Sequence, residues 1–295
     1  MPLHLNKSNR TKNRRRASTG ALPVPAGATT TTRLYSTSIV QSSPEYSQLK
    51  QIQVLSASAG KTLSLGDTFN PSSFGNRKTV VAFFTHAGDF NTFEFSEKLL
   101  HYLPQLDKAG VQLVAVVIGS PDNARAFSEL SGFPVDRLYC DPEASAYKTF
   151  GFSRGFLPDV PVNPYLRLLP MLAGIGSPGT IQAVLRGYVG DKQADASWTS
   201  SYLRKEAGGL VDKSAFDVLG TEGARPFEVA TVRLQNMIKI IPAWDRLKPA
   251  DENLITQQGG CLVFEGRKLV RKYDDKGILA YTDMDDLLRV VGVKQ

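Results

Sequence analysis

TVVAFFT at residues 79–85 runs straight into HAGDF at 86–90, and this join decides the fold. Six of the first seven residues are β-branched or aromatic, the seventh is Ala82, and there is no polar alternation, the mark of a central strand buried on both faces. A helix is expected over about 90–109, with Phe90, Phe93, Leu99, Leu100, Leu103 and Leu106 on its buried side and Pro104 late in it. VQLVAVVI (111–118) reads as a second buried strand. Ser120-Pro121 then supplies an N-cap and a first-turn proline for a helix that ends near Ser131, at Gly132. A short strand at 137–140 and a helix capped by Asp141-Pro142 and running to Phe150 complete a βαβα series. Such a series builds a mostly parallel sheet.

Working outward, 51–65 reads as a short hairpin around Gly60, and 151–164 as a loop holding Pro158, Pro161 and Pro164. The tetrapeptide IGSP of 118–121 recurs at 175–178, which predicts the same capping chemistry for a helix reaching about Gly187. Residues 188–225 read as a polar excursion. Between Pro226 and Pro242, Ala230, Leu234, Met237, Ile238 and Ile241 share one helical face, expected to be core, with Arg233, Asn236 and Lys239 opposite. A hairpin at 261–265 and 269–273 and a closing helix at about 282–291 finish the chain.

The 295 residues are 42% hydrophobic, 21% charged and 9% aromatic, which excludes collagen-like, disulfide-scaffold and wholly disordered classes. The net charge of +7 belongs to the start of the chain: residues 1–44 hold seven Lys or Arg and no acid. The rest carries 28 basic against 28 acidic residues, so no general footprint for nucleic acid is expected. Thirteen of the first 44 residues are Ser or Thr, and no apolar segment follows the charges. That composition reads as a disordered organellar transit peptide, cleaved near 35–45, rather than a secretory signal. The chloroplast stroma is the favoured compartment, with the mitochondrial matrix as the alternative. No membrane span is expected, the most apolar stretch (168–175) being far short of the roughly 20 residues a helical span needs. The mature protein is expected to be soluble.

VVAFFTHAGDF, AGVQLVAVVIGSPDNARAF and LYCDPEASAYKTFGF within 79–152, with QQGGCLVFEGRKLVRKYDDKGIL at 257–279, resemble the peroxiredoxin-like branch of the alkyl-hydroperoxide-reductase/thiol-specific-antioxidant (AhpC/TSA) superfamily. The resemblance covers about 51–291 and takes in LLPMLAGIGSPGT and RPFEVATVRLQNM. It implies an α/β thioredoxin-like, peroxiredoxin-type domain over 51–295, a central mixed sheet flanked by helices with a partly helical insert at about 152–256. In catalytically competent relatives the segment after the first core strand carries a cysteine. A helix N-terminus stabilises that thiolate. Here 85–92 reads Thr-His-Ala-Gly-Asp-Phe-Asn-Thr, without sulfur, and Asp89 matches the attacking position. A carboxylate caps a helix well but cannot pass through a sulfenic acid.

The expected function is therefore a redox-related binding or regulatory role without peroxidase activity. One alternative is a thiol-dependent antioxidant oxidoreductase in which Cys140 reacts, an external thiol resolves it and a thioredoxin-type protein reduces it. A second is a structural subunit docking onto a larger organellar complex. Thr85, His86, Asp89, Thr92 and Arg154 are the candidates for a small polar pocket at the strand's carboxyl edge, where open α/β sheets place ligands; solvated loop residues are the competing reading. Cys140, at a strand end before Asp141, is the candidate redox thiol, and Cys261 reads as a buried hydrophobe. In the resembled sheet three inter-strand steps, about 14 Å, separate these two, too far for the ~7 Å of a disulfide. His86 and His101 lack metal-site spacing, GIGSPGT (174–180) lacks the Lys-Ser/Thr ending of a phosphate loop, and no cofactor is expected.

Overall fold

Ser43 accepts the Tyr46 amide hydrogen bond and opens α1 (Pro44–Gln51), at the head of a computed structural model that describes residues 42–68, 77–208, 215–220 and 222–293. The expected hairpin follows as β1 (Gln53–Ser56) and β2 (Thr62–Ser64). Then come β3 (Lys78–His86), α2 (Phe90–Lys108), β4 (Gln112–Ile118), α3 (Pro121–Ser131), β5 (Leu138–Cys140) and α4 (Ser145–Thr149). The insert carries α5 (Pro164–Leu172), α6 (Thr180–Val189), α7 (Ser197–Glu206), α8 (Glu228–Ile240) and α9 (Trp244–Leu247). Strands β6 (Gly260–Glu265) and β7 (Lys268–Asp274) and helix α10 (Met284–Val291) end the fold. Of the expected transit segment, residues 1–41 lie outside the described residues.

The seven strands form one sheet in the order β2-β1-β5-β4-β3-β6-β7. β3, β4 and β5 run parallel, whereas β6 pairs antiparallel with β3, and β7 antiparallel with β6. Read as β4-β3-β6-β7, this is the strand order of the thioredoxin-like fold, extended on the β4 side by β5 and the first hairpin. Alternation along β3 feeds two cores. Val80, Ala82 and Phe84 pack with Phe93, Leu99, Phe127 and Leu288 on one face. Val81 and Phe83 pack with Leu49, Tyr147, Phe152 and Phe264 on the other. Burial on both sides explains why β3 shows no polar alternation. Three strand steps separate Cys140 from Cys261, as the spacing argument requires, and both are free.

Local signals held where their partners are near in sequence. Ser120 and Asn123 form a full capping box on α3, and Gly132 ends it at φ 77°. Four expectations need correction. Asp141 does cap the following helix, but that helix starts only at Ser145: its carboxylate accepts the Ser145 and Ala146 amides at 3.0 and 2.7 Å across an intervening turn. The second IGSP does not cap α6. Ser177 instead bonds the Thr180 hydroxyl and accepts the Ile278 amide at 3.0 Å, spending its side chain on a tertiary contact. Residues 188–225 are not merely an excursion, for they hold α7 and a 3-10 turn at Ala215–Leu219.

The largest correction concerns α8, which packs with the face opposite to the one its pattern suggests. Val232, Asn236 and Ile240 are buried, whereas Leu234, Ile238 and the following Ile241 are exposed. The cause lies on α2, which buries the carboxyl side chains Glu94 and Glu97. Buried acids need donors. Arg233 donates to Glu94 at 2.7 Å and Asn236 to Glu97 at 3.1 Å, and these bonds set the rotation of the helix. Lys239, expected to face water, pairs with Glu206 at 2.9 Å.

Candidate functional site

Thr85 and His86 are the last residues of β3, Ala87-Gly88 turn the chain, and Asp89 caps α2 by accepting the Asn91 amide at 3.0 Å. The His86 carbonyl accepts both the Asp89 amide (3.0 Å) and the Thr92 hydroxyl (2.9 Å). The Thr85 and Thr92 hydroxyls are 2.9 Å apart. The Gly88 amide donates to His86 Nδ1 at 3.2 Å, which leaves the ring proton on Nε2. Burial holds the His86 pKa below its ordinary value against the opposing pull of the Asp89 charge.

Thr85, His86 and Thr92 are thus brought together, but buried and bonded to one another; Asp89 alone of the four is half-buried. The cover comes from the insert. The edge of Trp244 meets the His86 ring with centroids 5.7 Å apart. A Cβ at Gly88 would lie 2.9 Å from the Trp244 ring and 3.1 Å from Leu247, so α9 rests directly on the turn and requires glycine there. Arg154 stands apart from this group: its guanidinium pairs with Asp159 at 2.7 Å on the surface, and its carbonyl accepts the Thr256 hydroxyl.

Both thiols are sealed. Cys140 is fully buried in the core between β1 and β4, and burial pushes its thiol up to about 12, with Asp141 adding in the same direction against Arg125. Cys261 is also fully buried, and its thiol is raised by the same cause. A thiol held protonated and away from solvent is a poor nucleophile.

Two features escaped the sequence reading. Asp275, buried just after β7, accepts the Thr282 amide at 3.0 Å, and burial lifts its carboxyl to about 8, the Asp89 charge adding to the rise. Asn91 ties the start of α2 to the same loop by donating to the Gly277 carbonyl (3.4 Å) and accepting from the Leu279 amide. A cleft of about 660 Å³ opens elsewhere, between α2, α6 and the β7–α10 connection. On its wall the Lys98 ammonium lies 4.9 Å from the Trp198 ring and 5.0 Å from Tyr281, and burial lowers its pKa. No periodicity or motif marks Lys98 or Asp275. Among the described residues, no group of three His, Cys, Asp or Glu is placed to hold a metal ion, and no helix is long and apolar enough to cross a membrane.

A family model described as AhpC/TSA antioxidant enzyme matches residues 98–277, well over half the chain. The match begins inside α2, after the Thr85–Thr92 segment. No curated protein matches the chain. Two similar solved structures are the Xanthomonas campestris bacterioferritin comigratory protein, described in a study of its alkyl peroxide reduction activity, and a cysteine-to-serine mutant of Xanthomonas campestris peroxiredoxin Q. Each is 19% identical over 38% of this chain and 65% of its own, with a TM-score of 0.28, so the chain spans just under two thirds of either.

Proposed function

We propose, since this chain belongs to the AhpC/TSA antioxidant enzyme family, that it is a peroxiredoxin-like member which does not reduce peroxides through a thiol and acts instead by binding or regulation in a redox setting. The observation that carries this reading is the start of α2, where Asp89 stands as the helix cap and Trp244 closes the neighbouring turn. A carboxylate keeps the negative charge that a helix N-terminus favours. It has no sulfur to receive an oxygen atom from a peroxide. The burial of Cys140 and Cys261 argues against either taking over.

The basic, acid-free start of the sequence supports delivery to an organelle, the chloroplast stroma before the mitochondrial matrix. Thioredoxin-type reductants would be partners only under the alternative in which Cys140 turns over. A coupled assay with a thioredoxin reducing system and hydrogen peroxide separates the two. Consumption at the rate of the protein-free control is expected. Turnover that disappears in Cys140→Ser would overturn the proposal in favour of the oxidoreductase.

A further inference from the structure

Eighteen large hydrophobic residues are exposed among the described residues, and all but Val270 lie between Leu157 and Ile241. They are ordered rather than scattered. On α6, Ile181, Leu185 and Tyr188 follow one another at steps of four and three and are 49%, 55% and 51% exposed. On α8 and the residue after it, Leu234, Ile238 and Ile241 repeat the same steps and are 50%, 58% and 62% exposed. That 4–3 spacing is the seam along which one helix meets another.

The two helices already lie side by side. Gly187 lets the Arg233 guanidinium come so close that a Cβ would be 2.3 Å from it, and Arg233 donates to the Ala183 carbonyl at 3.3 Å. Arg233 and Asn236 bind α2, so the α8 seam is turned away from the body of the protein.

Area and charge both bear on what covers the pair. With Leu166, Leu169 and Leu172 of α5, and Val189 and Phe227, eleven such side chains are about half exposed or more. Their summed exposure is on the order of 1,000 Å² of apolar surface, enough to supply the ~800 Å² that each partner buries in a stable dimer. A helix that lies on an anionic membrane carries basic residues along its polar face. Residues 157–241 hold nine Lys or Arg against eight Asp or Glu, and the one charge on α6, Arg186, lies 3.8 Å from Asp191. The basic, Ser/Thr-rich first 44 residues lack the apolar repeat to cover such a seam. An apolar seam with a single charged residue on α6 has the composition of the centre of an interface between identical subunits.

We propose that the α6–α8 face joins two copies of this chain about a two-fold axis, the two helix pairs closing an apolar four-helix layer. The self-complementary seam satisfies the requirement of an isologous contact, in which the same patch serves both sides.

Sedimentation equilibrium of the full chain at micromolar concentration tests it. A mass of about 64 kDa, twice the 32.2 kDa of the chain, is expected. The double variant Leu185→Glu with Ile238→Glu should sediment as a monomer, its association weakened at least about 100-fold by carboxylates brought into the seam, with an unchanged circular dichroism spectrum. A parent that stays monomeric overturns the proposal, including one that is monomeric yet binds phosphatidylglycerol vesicles. A dimer that survives both glutamates overturns it equally.

Discussion

Arg233→Met will cost about 3–5 kcal/mol of stability, because it strands a buried carboxylate. Glu94 accepts from Arg233 Nε at 2.7 Å and Nη2 at 3.3 Å, and from the Tyr281 hydroxyl at 2.7 Å. Its side chain is 3% exposed and that of Arg233 15%. Methionine fills much of the arginine's volume, so the loss reports on the charge and not on a cavity. A melting temperature lower by on the order of 10 °C follows for a domain of this size. Adding Glu94→Gln to Arg233→Met should return part of that loss, since the removed partner no longer leaves an ionised acid behind. Denaturant titrations of the single and double variants measure it. A single variant that melts within about 2 °C of the parent would show that α8 is not held to α2 by this pair.

Asp275→Asn will change the pH dependence of stability, with a definite sign. Burial lifts the Asp275 carboxyl to about 8 in the folded protein from an ordinary value of 3.8. Between those limits the native state keeps a proton that the unfolded chain has released. Each unit of rising pH therefore removes about 1.4 kcal/mol, and the loss is complete above about 8. Asparagine has no such proton and keeps the oxygen that accepts from Thr282. Measured against the parent, Asp275→Asn should thus gain roughly 3 kcal/mol between pH 5 and pH 7. Glu97→Gln should behave alike, because burial and the Glu94 charge also hold Glu97 near 8, and its Oε1 has no hydrogen-bond partner among the described residues. Comparing variant with parent cancels His86, whose lowered pKa contributes in the opposite sense as the pH falls through 6.5. A variant that tracks the parent at both pH values would show that Asp275 is ionised in the fold.

These two predictions fall where the sequence was hardest to read. TVVAFFT, VQLVAVVI and the Ser120 cap were legible because their determinants are local: an unbroken apolar run, a first-turn proline, a glycine at the end. The seam on α8 was equally visible as a period, but a period names a stripe and not the surface that covers it. Its orientation depends on Glu94 and Glu97, more than 130 residues earlier, and charged residues in a buried helix face break the expectation that apolar side chains go inward. The candidate site shows the same division. Thr85, His86, Asp89 and Thr92 were found from the strand-to-helix join, whereas the closure by Trp244 comes from the far end of the insert and leaves no local trace. Arg154 sat in a loop near in sequence to the fold's core, yet it binds Asp159 and faces solvent. Asp275 lies in an ordinary-looking DDKG turn.

The direct test of the central claim is the oxidation state of sulfur. Native protein is incubated with hydrogen peroxide, trapped with a sulfenic-acid reagent and a thiol alkylator, and Cys140 and Cys261 are read separately by mass, with a urea-unfolded sample as the reactive control. The account predicts two intact thiols in the native sample at a peroxide exposure that oxidises both in the unfolded one. Rapid, selective sulfenic-acid formation at Cys140 in the native protein would contradict it.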